Sequence, residues 1–168
     1  MNDLNELKEK FCLSGTLDFE KLSNDLIFLT VSNQYADARI CLYGAHITSF
    51  IPKNKTDILW MSSKSDFEVG KAIRGGIPVC FPWFGPHKAD AEKPQHGFAR
   101  LMNWNLTETK AMSNGETLIR LELCSSEATK SYWPHDFNAE MIILIGKTLN
   151  ATLKVINSSS VKLEYTCA

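Results

Sequence analysis

Leu4, Leu7 and Phe11 recur at helical spacing among acidic and basic residues, which predicts a short amphipathic helix within residues 1–14, packed on the outside of the domain. After it the period shortens. "LIFLTVSN", "ARICLYGAHITSFIP", "DILWMS", "TLIRLELCSS", "AEMIILIG", "ATLKVIN" and "VKLEYTCA" are short runs rich in β-branched and aromatic residues, separated by Gly, Asn, Ser, Pro and Asp. Strands at this spacing, with almost no helical pattern between them, predict an all-β sandwich or barrel. Asn-Gly in "MSNGETLI" predicts a hairpin turn, and "VINSSSVKLEY" reads as a second hairpin. In the last run Val161, Leu163, Tyr165 and Cys167 alternate with Lys162, Glu164 and Thr166, the period of a half-buried strand. An inward-facing strand with nothing after it reads as a cut through a sandwich, and the open edges of such a half would favour self-association.

One stretch breaks the alternation. Residues 71–100, "KAIRGGIPVCFPWFGPHKADAEKPQHGFAR", hold four of the six prolines together with Gly75, Gly76, Gly85, Gly97 and Trp83. A long irregular segment in a compact domain usually carries function, so the binding chemistry is expected there.

Composition narrows the classes without choosing one. At 168 residues the chain suits one domain (1–168) with a substantial core. Hydrophobic residues are 44% and charged ones 22%, an ordinary globular balance. A formal net charge of −1 offers no global attraction for nucleic acid or an anionic membrane, so an anionic partner would need a local cluster of cations. The N-terminus lacks an apolar signal region and no run approaches the length of a membrane span; a cytoplasmic location is the expectation. Five scattered cysteines, never at C-x-x-C spacing, read as buried free thiols, and no tight His/Asp/Glu spacing predicts a metal.

Within the irregular stretch Arg74 precedes Gly75 and Gly76, which permit a tight turn or close approach to a ligand; a guanidinium beside consecutive peptide N–H groups suits an anionic oxygen. A plain glycine turn with a solvated arginine fits the same residues. Phe81 and Trp83 are candidates either for the core or for stacking on a sugar ring; the interleaved prolines keep them out of a regular central strand. "QHGFAR" then groups Gln95, His96 and Arg100, able to recognise hydroxyls and an anion from one loop end or to serve structure alone. His46, His87 and His135 are weaker candidates. No Ser occupies a nucleophile elbow, and Cys80 sits between Val79 and Phe81 as a buried thiol would.

In order and spacing, "GAHITSF", "ILWMS", "KAIRGGIPVCFPWFG", "PQHGFAR" followed by a Trp, and the run into "YTCA" resemble the glucose-6-phosphate 1-epimerases (hexose-6-phosphate mutarotases) of the aldose 1-epimerase superfamily. The resemblance implies a galactose-mutarotase-like antiparallel β-sandwich that interconverts α and β anomers of hexose 6-phosphates without cofactor or metal. In that reaction a carboxylate takes the C1 hydroxyl proton while a protonated histidine gives one to the ring oxygen. It implies Arg74 and Arg100 as a phosphate and substrate clamp, Gln95 as a substrate contact and His96 as a partner of sugar hydroxyls. The family's catalytic His and Glu are expected beyond Ala168, so no catalytic residue is assigned within the chain. A non-catalytic sugar-phosphate binder and a relic domain without ligand stay open as alternatives.

Overall fold

The alternation seen in the sequence resolves into two meanders. The computed structural model describes residues 3–22 and 24–168. Strands β1 (Leu17–Lys21), β2 (Ile27–Ser32), β3 (Ala36–Cys41) and β4 (His46–Pro52) form one antiparallel sheet in sequence order. Strands β5 (Asn105–Ala111), β6 (Thr117–Cys124), β7 (Phe137–Ile145) and β8 (Leu149–Asn157) form the other in the same way. Alternate residues of β6 and β7 are buried, and Ile119, Leu121, Phe137, Met141 and Ile143 meet Leu29, Val31, Ile40, Ile47 and Phe50 of the first sheet in one apolar cluster. That shared cluster is what makes the pair a sandwich. Asn33 pins the layers at one end: its Nδ2 donates to the Ile145 carbonyl at 2.9 Å and to Thr117 Oγ1 at 3.0 Å.

The predicted helix is α1 (Leu4–Phe11), capped by the Asp3 carboxylate on the Asn5 and Glu6 N–H groups, with Leu7 and Phe11 buried. Residues 1 and 2 of the predicted segment lie outside the described residues. The helix stops at Phe11, where Cys12 turns extended. A second helix, α2 (Glu127–Tyr132), was not expected; it begins at a reciprocal cap in which Ser126 and Thr129 exchange side-chain and backbone bonds. No helix among the described residues is long and apolar enough to cross a membrane.

Four further expectations need correction. "ARICLYGAHITSFIP" is two strands, because Gly44 and Ala45 both take positive φ (79° and 46°) and reverse the chain. "DILWMS" forms no strand and contributes one bridge, Met61 to Gly75. "VKLEYTCA" forms no regular strand and no hairpin with β8: Leu163 alone is half-buried, and Val161, Tyr165 and Cys167 are exposed. Its end lies along the irregular stretch, where Cys80 and Ala168 exchange two backbone bonds (2.8 and 3.2 Å) and Thr166 donates to the Pro82 carbonyl. Of the five thiols only Cys41 and Cys80 are buried; Cys12 and Cys124, at the ends of α1 and β6, and Cys167, in the irregular last residues, face solvent.

The outer edge of the second sheet is open. Among the described residues β8 pairs with β7 alone, and its side chains are half-buried or exposed throughout. Ile156, Val161 and Tyr165 add exposed apolar surface on and beyond that strand.

Candidate active site

Residues 53–104 connect the two sheets, and the two blocks singled out in the sequence meet there by backbone contact. Gly97 has φ +74°, and a β-carbon on it would lie 2.0 Å from the Phe81 carbonyl oxygen. Only glycine permits that approach. The Ala99 N–H donates to the same carbonyl at 3.1 Å, and a 3₁₀ turn over Ala99–Leu101 then sets Arg100. Gly75 and Gly76 act similarly on the other side: β-carbons there would fall 2.5 Å from the Trp60 oxygen and 2.3 Å from the Ile47 oxygen. Their small size serves packing between β4 and the 60–62 segment. The expected run of consecutive N–H groups aimed at an anion is not formed, since the Gly76 N–H donates to Trp60 and the Arg74 N–H to Ser65 Oγ.

The arginines divide into two kinds. Arg39 pairs with Glu20, and Arg120 bridges Glu108 and Glu140 at 2.9 Å each, both on sheet faces. Arg74 and Arg100 have no carboxylate partner among the described residues. Arg74 is exposed. Arg100 is half-buried; its Nη2 donates to the Gln95 carbonyl at 2.8 Å, and its buried Nε has no hydrogen-bond partner. A buried guanidinium N–H without a protein acceptor is costly, a condition shared in this fold by His135 Nδ1 and Asn138 Oδ1.

His96, at φ +61°, receives the Gly85 N–H on Nδ1 at 3.1 Å while its own N–H donates back to the Gly85 carbonyl at 2.7 Å. With Nδ1 accepting, the ring proton resides on Nε2, the form that can donate to a hydroxyl. The exposed Phe84 packs edge-on against this ring at 4.8 Å. Gln95 gives its backbone carbonyl to Arg100 and leaves its side chain in solvent.

Phe81 and Trp83 are core residues. Phe81 is fully buried, edge-on to Trp133, Phe137 and Tyr165; Trp83 is buried with Nε1 donating to the Pro94 carbonyl at 2.9 Å. Phe81 has no surface to offer a sugar ring, whereas Trp83, 9% exposed, still lines a surface concavity. That concavity, shallow and about 410 Å³, is lined by Trp83, Phe84, His87, Trp133, Glu164 and Tyr165.

The residue that sequence reasoning undervalued is His46. Only 1% exposed, it opens β4 with Nε2 2.7 Å from the Gly75 carbonyl oxygen. Burial, joined by the nearby Arg100 charge, pushes the imidazole down to about 4. It is therefore neutral at physiological pH, with Nε2–H donating. The charge of Arg100 is also felt at Cys80, whose thiol burial nevertheless raises. Arg100 and the Arg74–Gly75–Gly76 turn are thus gathered about one buried imidazole.

A family model described as aldose 1-epimerase matches residues 28–167, from β2 to the penultimate residue. The chain belongs to the aldose 1-epimerase family. A Salmonella typhimurium protein named "Putative glucose-6-phosphate 1-epimerase" is 41% identical over 131 residues, 78% of this chain and 44% of that protein. An Escherichia coli protein of the same name is 40% identical over 142 residues, 84% of this chain and 47% of that protein. The crystal structure of a Salmonella typhimurium protein described as a "putative mutarotase" aligns with a TM-score of 0.81 at 35% identity, over 90% of this chain and 52% of that one. The chain spans about half the length of the relatives it matches.

Proposed function

We propose that this aldose 1-epimerase family chain recognises a hexose 6-phosphate, with Arg74 and Arg100 addressing the phosphate and the Nε2–H of His96 addressing a sugar hydroxyl, in the service of anomer interconversion. The observation that carries the reading is the contrast among the four arginines: two are neutralised by carboxylates on sheet faces, while the two in the family's sequence blocks have no carboxylate partner, and one of them a buried N–H with no acceptor, among the described residues. A phosphate monoester supplies both the negative charge and the acceptor oxygens. The names of the relatives point to the same substrate class.

Catalysis makes a further demand. Ring opening needs a base at the C1 hydroxyl and an acid at the ring oxygen. His46 is neutral and engaged by Gly75, and the Nδ1 of His96 is engaged by the Gly85 N–H; neither is assigned the role of the acid. The reading is therefore substrate recognition by this chain, with no acid–base pair assigned within it. Proton NMR exchange spectroscopy on glucose 6-phosphate tests both parts. Line broadening and chemical-shift changes on adding the protein, with no rise in the α-to-β exchange rate, are the expected result; absence of any interaction at millimolar sugar phosphate overturns the reading.

A further inference from the structure

Resting on that recognition reading, we propose that His46 is the positioning residue of the site: its Nε2–H holds the Gly75 carbonyl, and with it the turn that carries Arg74, so that Arg74 and Arg100 address the same anion.

Several independent contacts lead to this. Arg74 belongs to a turn whose other backbone ties go to the 60–65 segment, to Ser65 Oγ, to Ser62 N–H and to the Trp60 carbonyl. On the β4 side the turn is held by the mutual Ile47–Ile77 backbone pair (2.9 and 3.3 Å) and by the His46 side chain. Among the described residues, His46 provides the only side-chain hydrogen bond from a strand to residues 74–76. Gly76 is shaped around this contact, since a β-carbon there would stand 3.0 Å from His46 Nε2 as well as 2.3 Å from the Ile47 oxygen. The bond lies against the Arg100 side: Gly44, two residues before His46, approaches the Arg100 backbone so closely that a β-carbon would fall 2.8 Å from its carbonyl oxygen. One short stretch, Gly44 to Ile47, therefore touches both arginine-bearing segments.

The imidazole suits this task better than a charged donor. Arg100 is the charged group set against it, and a lysine or protonated histidine at position 46 would add a buried positive charge beside a guanidinium without binding the anion itself. A neutral N–H donor satisfies the Gly75 carbonyl with no such penalty. Packing alone would be met by an aromatic ring of similar size, so the hydrogen bond is what separates positioning from mere filling.

The test compares wild type, His46→Gln, His46→Phe and Ile143→Val, a core change in β7 on the other sheet, by calorimetric titration with glucose 6-phosphate and by thermal denaturation. Gln retains a side-chain N–H donor, whereas Phe keeps bulk without one. His46→Phe should weaken binding about tenfold, the scale of one lost hydrogen bond, and His46→Gln should recover most of it. Ile143→Val should lower thermal stability and leave affinity unchanged, separating positioning from general loosening. Equal affinity for His46→Phe and wild type overturns the proposal, as does a His46→Gln variant as weak as Phe. If wild type binds no sugar phosphate, the recognition reading falls and this inference with it. If binding requires Arg74 and Arg100 yet ignores His46, only this inference falls. Nitrogen-15 NMR of wild type gives a readout independent of whether the variants fold: the proton must sit on Nε2 of His46, and a proton on Nδ1 instead overturns the assignment.

Discussion

Replacing Gly97 by alanine probes the junction on which the candidate site is built. The new β-carbon would lie 2.0 Å from the Phe81 oxygen and 2.3 Å from its carbonyl carbon, and both are backbone atoms that cannot rotate aside. Alanine at φ +74° carries about 1–2 kcal/mol of left-handed strain. Moving the turn away also breaks the Ala99 N–H to Phe81 bond, worth about 1 kcal/mol net. It disturbs the fully buried rings of Phe81 and Phe98, adding about 1–3 kcal/mol of misfit. The whole is on the order of 3–6 kcal/mol, a large fraction of the roughly 5–15 kcal/mol that stabilises a domain. Gly15→Ala is the internal control: φ is similar at +69°, nothing lies within 4 Å, and only the strain of about 1–2 kcal/mol applies. At about 2–4 °C per kcal/mol for a chain of this size, Gly15→Ala should lower Tm by a few degrees and Gly97→Ala by about 10 °C or more. The assay is differential scanning calorimetry of both variants beside wild type. Equal losses would refute the close approach of the two blocks and the placement of Arg100 derived from it.

Acid should destabilise the fold through His46. Its native pKa of about 4 lies below the ordinary 6.5, so the unfolded chain takes up a proton first. The stability contributed by the neutral ring is complete above 6.5 and is lost as pH falls towards 4, by about 3 kcal/mol in all, read as urea midpoints that His46→Gln should render flatter with pH. Trp83→Ala should lower stability by about 3–5 kcal/mol while leaving the affinity ratio of glucose 6-phosphate over glucose unchanged, because the ring is core and not a sugar platform. The open β8 edge, with Ile156, Val161 and Tyr165 exposed, should produce concentration-dependent self-association in sedimentation velocity, reduced by Ile156→Lys; ideal monomer behaviour at all concentrations would contradict it.

Periodicity made part of the sandwich legible: Ile119 to Leu123 alternate in sequence as they do in burial, while the β-branched run Met141 to Ile145 reads as a strand although its apolar residues are continuous and only its burial alternates. Where periodicity was short, it misled. β1 carries only Leu17 and Phe19 on its inner face, and β5 is largely polar, so neither stood out as a strand. The "VKLEYTCA" run alternates correctly yet lacks a full ladder, since its backbone bonds reach Cys80 and Pro82 without forming a regular strand and most of its side chains remain in solvent. At the site, residue types were readable and their surroundings were not. Arg74 and Arg100 look alike in sequence to the ion-paired Arg39 and Arg120; only the fold shows which guanidinium has a carboxylate across a strand. Phe81 and Trp83 could not be assigned to core or surface from proline spacing, because the irregular segment buries them without forming a strand. His46 was hidden by its ordinary place in a strand pattern; the one available signal was its position two residues after Gly44, where the chain reverses.

The claim at the centre of the account is that two carboxylate-free arginines form an anion site for a sugar phosphate. Isothermal titration of wild type, Arg74→Ala and Arg100→Ala with glucose 6-phosphate and with glucose tests it most directly. Binding of the phosphate ester by wild type, little binding of glucose, and a loss of about 2 kcal/mol or more in each variant are the predicted result. Equal affinity for the two sugars, or for wild type and both variants, would contradict it.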